Sequence, residues 1–163
     1  MRIRTRLAAT ALVGTMLCWS SYSQTSYSQT SNSQTSVLRA ERDLFTSVNQ
    51  ARHAQGLSPL RWDDTLATAA RHHAEVMAEH GSAQHAFEGE PSLSARVKLV
   101  GARFSWLSEN VTQGPTPDFI HEQFMKSPLH RANILDRDMD SIGIGVVDHG
   151  GQLFAVEDFS QAR

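Results

Sequence analysis

The chain has 163 residues, 40% of them hydrophobic and 20% charged, enough apolar material for one domain with a packed core and no need of staples. It carries 15 basic and 17 acidic residues, a formal net charge of −2, and Lys98 and Lys126 are its only lysines. No basic cluster is present that could neutralise a phosphate backbone, which argues against a nucleic-acid partner.

Arg2, Arg4 and Arg6 precede an apolar run from Leu7 to Trp19, and Ser21-Tyr22-Ser23 supplies small-x-small spacing. Residues 1–23 therefore read as a signal peptide, since the run is short for a bilayer-spanning helix; a retained anchor is the alternative. Secreted or periplasmic localisation without a stable transmembrane anchor is the expectation. Cleavage would leave 12 basic and 17 acidic residues, a net charge of −5. The single cysteine, Cys18, lies in this segment, and Leu17 before it is not the small residue that lipidation sites carry. A disulfide is thus not expected in the mature domain.

Residues 24–36 belong to a repeat of the form Ser-Tyr/Asn-Ser-Gln-Thr beginning at Ser21. It is polar and without aliphatic side chains, so it reads as a flexible spacer. The globular domain is expected over 37–163. Val37, Leu38, Leu44, Phe45, Val48 and Ala51 have helical spacing, ended by Gly56. Leu57 to Trp62 is an extended connector, because Pro59 disfavours helix before it. Asp63 or Asp64 caps a second helix carrying Leu66, Ala69, Ala70, His73, Val76 and Met77, which ends at His80-Gly81. A third helix spans about Leu93 to Val100.

Trp106 to Val111 reads as a strand entering a Gly114-Pro115 turn. Asp118 to Lys126 reads as a helix stopped by Ser127-Pro128. Two strands follow, Ser141–Val147 and Leu153–Phe159, joined by a His149-Gly150-Gly151 turn. Helices first and a hairpin last predict an α+β fold with an antiparallel sheet covered by helices.

Several segments in order carry a resemblance: Phe45-Thr-Ser-Val-Asn49-Gln-Ala-Arg52, Leu57-Ser-Pro-Leu-Arg-Trp62-Asp63, Leu66-Ala-Thr-Ala-Ala70, and the isolated His85. Glu109-Asn110-Val111, Ser127-Pro-Leu-His130-Arg131-Ala-Asn133-Ile134-Leu135 and Ile142-Gly-Ile-Gly-Val146 complete the set. Together they resemble the SCP domain of the CAP superfamily, which includes cysteine-rich secretory, antigen-five and plant pathogenesis-related proteins. The exported bacterial branch is the best match. The resemblance implies a three-layer α-β-α sandwich with a central antiparallel sheet and a C-terminal β-hairpin.

It also implies a cleft of two histidines and two acids. Carried over by motif, these are His85, His130 and Glu109, while Ser127 stands where many members have the second acid. Glu122 is the nearest carboxylate to that place, but it lies more than a turn away. Two imidazoles can hold zinc or another divalent ion, and His85 with His130 is the metal-ligand expectation, although no cofactor is required. If Glu109 only orients a histidine, such a site has two protein ligands. Without metal, Glu109 raises the proton affinity of a neighbouring histidine.

The resemblance implies an extracytoplasmic binding module, expected to be monomeric, for a lipid, cell-wall fragment, peptide or metal. A metal-assisted or acid–base hydrolase using the same cleft is the alternative. A serine mechanism at Ser127 is disfavoured by the Pro128 that follows it and by the missing nucleophile elbow. His73 reads as a hydrogen-bonded core residue and His72 as a surface one. Trp62, Phe104, Trp106, Phe119 and Phe124 are candidates for core or for the frame of an apolar pocket. Asp136, Asp138 and Asp140 lack the glycine and glutamate of a calcium loop and read as solvated.

Overall fold

A computed structural model describes residues 22–161, with side chains from Gln34 onward. The signal-peptide reading of residues 1–23, and Cys18 with it, falls almost wholly outside the described residues. The element order is α1 (Tyr22–Ala54), β1 (Arg61–Trp62), α2 (Asp64–His80), α3 (Leu93–Leu99), β2 (Trp106–Gly114), α4 (Pro117–Lys126), α5 (Pro128–Ile134), β3 (Ser141–His149) and β4 (Gln152–Gln161). The strands form one sheet in the order β1-β3-β4-β2. β2, β4 and β3 are antiparallel neighbours, and the short β1 adds a parallel pair at the far edge. The expected α+β sandwich is what forms.

Alternation along β3 explains the layering. Ile142, Ile144 and Val146 point to one face and join Leu44 and Val48 of α1, Ile120 and Phe124 of α4 and Ile134 of α5 in the larger core. Gly143 and Gly145 point to the other face, where α2 lies on the strand. A Cβ at Gly143 would sit 2.1 Å from the Ala67 backbone nitrogen, and one at Gly145 would sit 2.2 Å from that of Arg71. Only glycine permits this approach. Beyond it, Ala70, Ala74 and Met77 of α2 pack on Val111, Phe154 and Val156.

The boundaries of α2 are written in its caps. The Asp63 carboxylate accepts from the Thr65 and Leu66 amides at 2.8 and 3.0 Å. Gly81 ends the helix in the left-handed region at φ 63°, as a helix C-terminus favours. At the other end of the chain order, Ser127-Pro128 does more than stop α4. Ser127 terminates α4 and also caps α5, whose first residue is Pro128. Proline has no amide to lose at that position, so the same pair that ends one helix starts the next.

The backbone of α1 runs continuously from Tyr22, through the repeat expected to be a spacer. Extension of a helix already packed at Ala40, Leu44 and Val48 needs no new nucleus. Buried polar ties fasten α1 to the rest. Glu41 receives a two-pronged bond from Arg71 of α2 at 2.7 and 2.6 Å. Arg52, fully buried, donates to the carbonyls of Ser58, Ile134, Asp136 and Met139 and thereby closes the loop after α5 onto α1. Among the described residues, no helix is long and apolar enough to cross a membrane.

Candidate functional site

The free edge of β2 is where the predicted residues meet. Glu109 and Asn110 are consecutive, so their side chains leave opposite faces of the sheet. Glu109 faces the α2 and α3 layer, and Asn110 faces the α4 and α5 layer. His85 arrives from the connection between α2 and α3, and His130 arrives from α5. Their ring centroids are 6.5 Å apart, so two layers each contribute one imidazole at a single strand edge.

Both oxygens of Glu109 are engaged. The Nδ1–H of His85 donates to Oε1 at 2.8 Å, and the Arg96 guanidinium donates to Oε2. Glu109 is buried, whereas the His85 side chain is 59% exposed. Hydrogen bonding to Glu109 raises the proton affinity of His85 above its ordinary value, against an opposing desolvation. With Nδ1 committed to the carboxylate, the Nε2 side of the ring is left for the cleft.

The loop that presents His85 is bonded at several points. His73, fully buried on α2, bonds through Nδ1 to Glu90 at 2.6 Å and donates from Nε2 to the Gln84 carbonyl at 2.9 Å. Both ring nitrogens are thus engaged. Arg96 also donates to the carbonyls of His85 and Pro91, and the second oxygen of Glu90 accepts from the Phe87 amide at 3.3 Å. Sequence reasoning placed His73 in the core but missed Glu90 and Arg96. Neither carries a spacing signal, because their partners lie on three different elements.

His130 is held by its backbone. Its carbonyl accepts from Asn110 Nδ2 at 3.1 Å, its ring meets the edge of Phe124 at 5.2 Å, and its amide faces the Ser127 hydroxyl. Burial and the neighbouring His85 lower its proton affinity. Asn133 donates to Asn110 Oδ1 at 2.9 Å and to the Glu109 carbonyl at 3.2 Å, fastening α5 to the outer edge of β2. The Glu-Asn and His-Arg-Ala-Asn segments therefore do structural work and present the histidines at once.

Ser127 caps a helix, so the serine-nucleophile reading has no geometry behind it. Glu122 is exposed and pairs with Lys126 at 2.6 Å, so it does not replace the second acid. Among the described residues no three His, Cys, Asp or Glu side chains gather as a metal site would require. With Glu109 occupied, a metal would find at most the two imidazoles. The five aromatics do not frame one pocket. Phe124 is core, Phe119 covers Gly114, Trp62 packs edge-on against Phe45 at 5.5 Å, Phe104 lies under Lys98, and Trp106 is 62% exposed. A separate apolar concavity of about 590 Å³, lined by Leu38, Phe45 and Trp62 over the Glu41–Arg71 pair, lies between α1 and α2. His72 pairs with Glu75 at the surface. The Asp136 carboxylate accepts from the Asp138 amide, and that of Asp140 accepts from Arg61 of β1 and from the Ser141 hydroxyl.

Comparison with known proteins follows the same architecture. The profile of the cysteine-rich secretory protein family matches residues 45–159. The uncharacterised protein YkwD of Bacillus subtilis is 32% identical over 116 residues, covering 71% of this chain and 45% of YkwD. Among solved structures, an extracellular SCP-domain protein of Bacillus anthracis superposes with a TM-score of 0.70 at 23% identity, over 75% of this chain and 40% of that one. An outer surface protein of Borrelia burgdorferi gives a TM-score of 0.71 at 21% identity, over 77% and 94%. The chain thus spans under half of YkwD and of the Bacillus anthracis protein. The profile match over residues 45–159 and the fold shared with SCP-domain structures agree: this chain belongs to the cysteine-rich secretory protein (CAP) family.

Proposed function

We propose that the chain is an extracytoplasmic binding module whose ligand engages His85 and His130 at the free edge of β2. One observation carries this reading: an exposed imidazole is anchored from behind by a buried, fully engaged carboxylate, while a second imidazole faces it from the opposite layer. A purely structural histidine does not need its outer nitrogen directed to solvent. Two exposed apolar side chains lie near these residues in the chain. Leu129, beside His130, is 80% exposed, and Trp106 begins the same strand, about 10 Å from Glu109 at the rise of a β-strand. A ligand with a polar group at the histidines and an apolar or extended body along β2 suits this arrangement. The bacterial neighbours described as extracellular or outer-surface proteins support the location.

A divalent ion fits this donor set only as a weakly held guest, because two imidazoles fall short of the three or four protein ligands of established zinc sites. The His85–Glu109 pair has the form of a general base with its orienting acid, which is what a hydrolase of this cleft would use.

The test is NMR of the folded domain, following imidazole, apolar side-chain and backbone amide signals, with three probes in turn: a soluble peptidoglycan fragment, phospholipid micelles, and zinc. Binding that shifts the His85 and His130 signals, and is lost in the folded His85→Ala/His130→Ala variant, supports the cleft. Shifts confined to Leu38, Phe45 and Trp62 would move the binding site to the concavity beside α1 and overturn it.

A further inference from the structure

The chain lacks the second acid that the cleft was expected to hold near Ser127, yet a carboxyl stands directly behind Glu109. In the β2–β4 ladder Glu109 pairs with Asp158, so the two side chains leave the same face of neighbouring strands. Asp158 is fully buried. Neither of its oxygens has a hydrogen-bond donor, an arrangement that a buried carboxylate tolerates poorly.

The charged groups that bear on it are Glu109 of β2 and Arg96 of α3; His73 of α2 and Glu90 of the following loop adjoin those two, with His85 beyond, and β3 presents Gly143 at this register. His73 answers Glu90, and Arg96 answers Glu109. The basic groups of this cluster are thus paired with other carboxyls, and no side-chain donor reaches Asp158. Two adjacent carboxyls in such a site do not both ionise.

We propose that Asp158 is the second acid of this site: a protonated carboxyl on β4 that donates its hydrogen bond to Glu109 from behind the cleft. It is a positioning residue, because it acts through Glu109 and does not reach the cleft surface. A neutral donor there keeps a single negative charge on the pair, so Glu109 remains a monoanion shared among His85, Arg96 and Asp158. Burial first, and the charge of Glu109 next, hold the Asp158 acid well above the usual carboxylate range, with Arg96 opposing. The assignment deepens the reading of this cleft, but its test needs no ligand, so the two fail separately.

Carboxyl-detected carbon NMR of the folded domain reads the Asp158 proton directly, without a variant. The protonated-acid signal is expected to persist well above the ordinary carboxylate range; a signal titrating within that range, at or below about pH 4, would overturn the assignment. Asp158→Asn, a neutral donor of the same shape, is expected to leave the His85 ring signals in place and their titration midpoint within about 0.3 pH unit. A fall of about one unit or more would show that a negative charge had been removed, and would overturn it independently.

Discussion

At the scale of single residues, Glu109 and Glu157 show how one strand pair uses carboxyls in opposite ways. Both oxygens of Glu109 are answered, one by His85 and one by Arg96. The pairing favours the imidazolium of His85, so its contribution to stability is complete below the ordinary histidine range and is lost as pH rises through the raised value. Replacing Glu109 by Gln is expected to bring His85 back toward the ordinary range of about 6.5, read by ring-proton NMR; an unchanged midpoint would contradict the pairing. His130 is expected to titrate below His85 in the same spectra, since burial and its neighbour both lower it.

Glu157, on the opposite face, is fully buried and receives one bond, from Asn110 at 3.1 Å. Its other oxygen has no donor, and burial pushes its acid up to about 8. The folded state therefore keeps a proton that the unfolded chain releases near pH 4.5, and stability falls as pH rises between those two values. Glu157→Gln removes the titration. It is expected to raise unfolding stability by on the order of 2 kcal/mol at pH 8 and by much less at pH 4, measured by urea denaturation. An equal effect at both pH values would show that Glu157 does not hold a proton.

At the scale of elements, the contact between α2 and β3 is set by two glycines. Adding a methyl at Gly145 would place it against the Arg71 backbone, and backbone cannot move aside as a side chain can. Gly145→Ala is expected to cost about 3 kcal/mol or more, while Gly150→Ala in the exposed hairpin turn meets nothing within 4 Å and bears only the strain of its positive φ of 62°, about 1 kcal/mol. Thermal unfolding of the two variants checks the order. Most of these elements were legible in the sequence because periodicity, Asp63 and Gly81 mark them locally. α5 was not, because Ser127-Pro128 signals a stop and a start equally well. The continuous helix through the repeat was not either, because composition speaks of missing burial and not of a helix extended from a packed neighbour.

At the scale of the molecule, the fold is a device for bringing two layers to one strand edge. His85, Glu109 and His130 were readable from local motifs, and the structure brings all three together. Glu90, Arg96 and Asp158 were not, since what gives them roles is a cross-strand register and a loop path that no single segment encodes. Arg52 illustrates the same limit: its four carbonyl partners come from residues up to 87 positions away. Removing it by Arg52→Met leaves those buried acceptors unanswered, and a loss of about 3 kcal/mol or more is expected in denaturant unfolding. A loss within about 0.5 kcal/mol would mean that the loop after α5 is held by other contacts.

The central claim is that the two imidazoles at the edge of β2 form a ligand site. It is tested most directly by following the His85 and His130 ring signals while a soluble peptidoglycan fragment, phospholipid micelles and zinc are added in turn to the folded domain. Saturable shifts at both rings with at least one probe, and loss of that probe's binding, read from the backbone amide signals, in folded His85→Ala/His130→Ala protein, are the predicted result. Rings that stay unmoved by every probe, or binding that survives the double substitution, would contradict it.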